Sequence, residues 1–97
     1  MNDTQFERNL QSVGLALFVE FYKEFADENK STSDIVEMVF QTKGYTEKSC
    51  KSRTSHARSI IHHGRGAEGL RRAADSNRVE INLRHKAEQL IAEIELN

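Results

Sequence analysis

The chain has 97 residues, room for one domain, and its apolar content of 37 % is low for a globular protein. Charged residues reach 30 % but nearly cancel, with 14 Lys+Arg against 15 Asp+Glu and a net charge of −1. No apolar run nears the roughly 18 residues of a membrane span, no basic leader precedes an apolar stretch, and the lone Cys50 excludes an internal disulfide, which together predict a cytoplasmic protein with no membrane partner.

Proline is absent and glycine numbers five, too few for the tight turns that sheets need. The expected fold is therefore all-α, a single-domain bundle of four to five helices with a helix-turn-helix-like centre. The first helix is predicted over about residues 4–28. Phe6, Leu10, Val13, Leu17, Phe21 and Phe25 recur in steps of three or four, and Leu15, Phe18, Val19 and Tyr22 widen that face. Ser31 and Asp34 form a capping signal for a second helix over about 32–42, with Ile35, Val36, Val39 and Phe40 inward and Gly44 as its stop.

Thr46 is a good N-cap for a third helix over about 46–62. Its inward positions are Cys50, Thr54, Ala57 and Ile61, with Ile60 beside them, and the rest of it is cationic or hydroxylic. Gly64-Arg65-Gly66 breaks the pattern before a short helix over about 67–75, with Leu70, Ala73 and Ala74 inward. Asn77 and Glu80 read as a second capping box for a last helix over about 78–96. Val79, Leu83, Ala87, Leu90 and Ile94 make a seam along that helix, like a short coiled coil. Two broad apolar faces on a small chain suggest a homodimer, with Leu17, Phe18, Phe21, Leu83, Leu90 and Ile94 at its interface.

Counted by segment, the net charge is far from neutral. Residues 1–39 hold three basic and eight acidic groups, net −5; residues 40–86 hold eleven and four, net +7; residues 87–97 hold three acidic groups, net −3. All four histidines lie in the basic segment. A basic band between acidic ends can attract a polyanion while limiting non-specific adhesion.

The stretch from Thr32 to His62 (helix, Gly44-Tyr45 turn, basic and serine-rich helix) resembles the helix-turn-helix class of DNA-binding domains. That resemblance implies a third helix lying in the major groove. Lys48, Ser49, Lys51, Ser52, Arg53 and Ser55 would face the groove, and Arg58, Arg65, Arg71 and Arg72 would contact phosphates. Two positions depart from the class: Phe40 stands where it holds alanine, and Arg53 falls at an inward site.

The histidines lack the spacing of a zinc finger or metalloprotease, and the Gly64-Arg65-Gly66 segment lacks the longer nucleotide-loop pattern. No nucleophile, base and acid stand in an evident relation. The expectation is a non-enzymatic protein with no metal or cofactor that binds DNA, as a transcriptional regulator would. The alternative is a helical protein-interaction module, an adaptor or inhibitor. Exposure of the basic band from Lys48 to Arg72 favours the first, and pairing of its arginines with Glu20, Glu24 and Asp27 favours the second.

Overall fold

A computed structural model describes residues 1–96, and the regular structure of these residues is helical throughout. Seven helices form among them where four or five were expected: α1 (Asp3–Val13), α2 (Leu15–Glu20), α3 (Tyr22–Ala26), α4 (Thr32–Lys43), α5 (Glu47–His62), α6 (Gly66–Ala74) and α7 (Ile81–Leu96).

The extra helices come from the first third of the chain. The single helix expected over 4–28 breaks at Gly14 and again at Phe21. Gly14 adopts φ 87° and ψ 134°, a conformation that side chains strongly disfavour. Its N–H still bonds the Leu10 carbonyl at 2.9 Å, so it closes α1 and redirects the chain in one residue. Phe21, at φ −110° and ψ 17°, makes a milder bend. The physical reason is the breadth of the apolar face. A straight helix would leave part of it in water, whereas three short helices wrap it inward. Phe6, Leu10, Val13, Leu17, Phe18, Val19, Phe21, Tyr22 and Phe25 are all buried.

Most helix ends follow local chemistry. Ser31 Oγ accepts from the Asp34 N–H at 3.1 Å, and Thr46 Oγ1 accepts from the Ser49 N–H at 3.1 Å. Gly44 closes α4 in the left-handed conformation. At the start of α1, Asn2 and Gln5 form a reciprocal capping box, a signal present in the sequence as Asn-x-x-Gln. The Asn77–Glu80 box does not form. Val79 is buried ahead of the helix, which pulls residues 76–80 into a turn, and the Glu80 carbonyl accepts the first helical bond, from Arg84.

Helix α5 runs through the middle, packed by α1, α4, α3 and α6. Its buried face is Cys50, Thr54, Ala57 and Ile60, mostly small side chains that let neighbouring helices approach closely. Helices α6 and α7 pair with each other and cover α2. A Cβ placed on Gly69 of α6 would lie 2.8 Å from the Phe18 ring, so α6 rests directly on that ring. The radius of gyration, 12.5 Å, is that of one ordinary globule of this length.

This packing corrects the expected dimer seam. Leu17, Phe18, Phe21 and Leu90 are buried in the chain's own core, because α7 turns its seam onto α6 and α2. Leu83 is half-buried and Ile94 is 39 % exposed. Phe40, expected inward, is 40 % exposed, while Ile60 is fully buried and Ile61 packs half-buried against the core. Among the described residues, no helix is long and apolar enough to cross a membrane.

One core position is chemically mismatched. Thr54 is fully buried, and its hydroxyl has no hydrogen-bond partner. An unpartnered buried hydroxyl costs about 1–3 kcal/mol. Thr54→Val keeps the shape and removes that cost, so the melting temperature is expected to rise, by about 1 kcal/mol of stability. A fall in a thermal melt would mean that the hydroxyl contributes to folding.

Candidate nucleic-acid interface

Helix α4, the turn Gly44-Tyr45-Thr46 and α5 stand in the order that the resemblance implied. On the first half of α5, Lys48, Lys51, Ser52 and Ser55 are exposed and Ser49 is half-buried. Lys51 lies 3.3 Å from Glu47 one turn earlier, an exposed pair worth little. Lys48 makes no ion pair or hydrogen bond among the described residues.

The arginines behave differently. Arg53 is half-buried, with its guanidinium stacked 4.2 Å from the centre of the Tyr45 ring. Its Nη1 donates to the Val13 carbonyl at 3.0 Å and its Nε to Ser49 Oγ at 2.9 Å. It thereby caps the carboxyl end of α1, which explains a polar residue at an inward site. Arg58 donates to the carbonyls of Lys30 at 2.9 Å and Asp27 at 3.3 Å, tying down the loop before α4.

Arg65 reaches Asp3 at 2.9 Å and Glu68 at 2.6 Å, and sits 4.1 Å over the Phe6 ring. Arg72 grips both carboxylate oxygens of Glu7. The Glu68 hydrogen bond, above all, raises the Arg65 pKa above the usual arginine range, and the Glu7 bond does the same for Arg72. Arg71 is exposed, 3.8 Å from Glu95. The broad basic band expected from the sequence is therefore corrected. Arg53, Arg58, Arg65 and Arg72 hold the fold together, and the acidic first helix supplies Asp3 and Glu7 as partners. Of the acidic groups named beforehand, Glu20 pairs instead with Lys43, and Asp27 offers only its backbone carbonyl to Arg58.

The histidines are scattered. His56 Nδ1 lies 2.7 Å from Ser12 Oγ, and His63 Nδ1 donates to the Ser59 carbonyl at 2.8 Å. Among the described residues, no group of three or more His, Cys, Asp or Glu is placed to hold a metal ion. Cys50 is fully buried, and burial pushes its thiol pKa up, away from the reactive thiolate. Burial likewise raises the Tyr22 phenol. Gly64 provides a turn at φ 73°, while the Arg65 guanidinium faces carboxylates rather than an open loop.

Two clefts flank the exposed face of α5. The one on the α4 side, about 620 Å³, is lined by Val36 and Phe40 with Glu37, Glu47 and Lys51 at hand. The one on the α1 side, about 330 Å³, includes Ser12, which no sequence spacing linked to α5. Compared with known proteins, the chain matches no family model, no curated protein and no solved structure.

Proposed function

We propose that the chain is a small nucleic-acid-binding protein that presents the first half of α5 to duplex DNA. The observation that carries the reading is the exposure of Lys48, Lys51, Ser52 and Ser55 on the second helix of a helix-turn-helix arrangement. In such arrangements it is the start of the second helix that meets base edges. The reading has the protein in the cytoplasm as a regulator of transcription, binding rather than catalysing, and it needs no cofactor.

The arginine network sharpens the expected affinity. The seven cations that the resemblance implied as contacts would give a log–log salt slope near −6, whereas Lys48 and Lys51 alone give about −2. The test is binding to random duplex DNA at several salt concentrations. We expect weak binding at about 50 mM salt with a slope near −2, lost in Lys48→Glu with Lys51→Glu while the melting temperature holds. No binding at low salt overturns the proposal, and a slope near −6 overturns the restricted face.

A second reading, a protein-interaction module, is favoured by the internal use of four arginines and by Phe40 exposed in the α4-side cleft. A chain that binds no DNA leaves that reading in place.

A further inference from the structure

The cleft on the α1 side of α5 has an unusual hydrogen-bond inventory. It is lined by Ser12, Thr46, Lys48, Ser49, Ser52 and Arg53, with two cations, four hydroxyls and no carboxylate. Thr46 Oγ1 already accepts from the Ser49 N–H, and Ser49 Oγ already accepts from Arg53 Nε. A hydroxyl whose oxygen accepts internally keeps its own proton to donate. Ser52 and Lys48 have no internal partner among the described residues, so their donors are free as well. Arg53 has five N–H groups, of which Nε–H and one on Nη1 are engaged. Its Tyr45 stack and its bond to Val13 fix the guanidinium plane, so the remaining donors are pre-oriented.

The result is a concave surface rich in donors, two of whose hydroxyl oxygens already accept internally, with Ser12 Oγ paired to His56 Nδ1 at its rim. A phosphate group is the matching ligand, since its oxygens only accept and its charge is negative. The cleft across α5 is the opposite case, since Glu37 and Glu47 line it and repel phosphate.

We infer that the α1-side cleft seats one backbone phosphate of the bound nucleic acid, which places that strand on the α1 side of α5. The inference rests on the nucleic-acid reading and adds Ser12 and Thr46 to its contacts. It also gives Arg53 a second task beside capping α1, and a third cation moves the expected salt slope from about −2 to about −3.

The test is amide NMR of the full chain. One arm adds inorganic phosphate against sodium chloride of equal ionic strength, and the other adds a short DNA duplex. We expect both ligands to move the amides of residues 12, 46, 48, 49, 52 and 53. Ser52→Glu, at an exposed helical site, is expected to abolish the phosphate shifts and weaken duplex binding about tenfold, the loss of one charge-assisted contact. If phosphate moves these amides but no duplex binds, the seat stands and the nucleic-acid reading falls. If duplex binds without moving them, the seat is overturned and the reading stands. Silence in both arms overturns both.

Discussion

Phe18→Ala is expected to destabilise the protein by about 3–5 kcal/mol, a large part of the stability of any small domain. Phe18 is fully buried, meets Tyr22 edge-to-face at 5.4 Å between ring centres, and supports Gly69 of α6. Gly69 and Ala73 on α6 carry little or no side chain with which to fill the space that the ring leaves. Urea unfolding measures the effect as a lower midpoint with an unchanged slope. The midpoint loss should be the same at low and high protein concentration, since the ring belongs to the chain's own core. A loss that shrinks as concentration rises would return Phe18 to a subunit interface. If the alanine variant does not fold, Phe18→Leu should show a smaller loss with the same concentration independence.

The second large effect concerns cations that resembled DNA contacts. Arg53→Ala with Arg58→Ala is expected to cost about 2–4 kcal/mol, at or below the usual range for two charged hydrogen-bonding groups because both are half-exposed. The double change strips donors from the carbonyls of Val13, Lys30 and Asp27 and removes the cation over Tyr45. Lys48→Ala with Lys51→Ala should change stability by less than about 0.5 kcal/mol each, as exposed sites do. Thermal melts of the two double variants separate the roles. Equal melting temperatures would mean that the two arginines are surface groups after all.

These cases show what could be read from the residues alone. Apolar spacing identified the inward positions of α1 to α3 well, because burial follows periodicity whether or not the helix stays straight. It could not show the breaks at Gly14 and Phe21, since a bent helix keeps the same spacing as a straight one. Capping at Ser31 and Thr46 was legible because it is local. The Asn77–Glu80 box failed because the burial of Val79, a tertiary event, outweighed a local preference. The site was legible only in part. Lys48, Lys51, Ser52 and Ser55 on the outer face of α5 stayed exposed, but the fate of the arginines depended on groups up to 65 residues away, as with Arg72 and Glu7. Ser12 carried no signal at all, for its place beside α5 exists only once α1 docks.

The arginine caps also bear on how the chain matures. During synthesis from the amino end, the segment through α3 is made well before Arg53 and Arg58. Until then the carbonyls of Val13 and Lys30 lack their arginine donors, the Asp27 carbonyl keeps only its bond from the Lys30 N–H, and the apolar ring of α1 to α3 has no central helix to close on. The first thirty residues are therefore poor folders by themselves. A chain cut before residue 58 would lack much of the surface on which α1 and α3 pack, and its phenylalanines would be open to water and to other molecules.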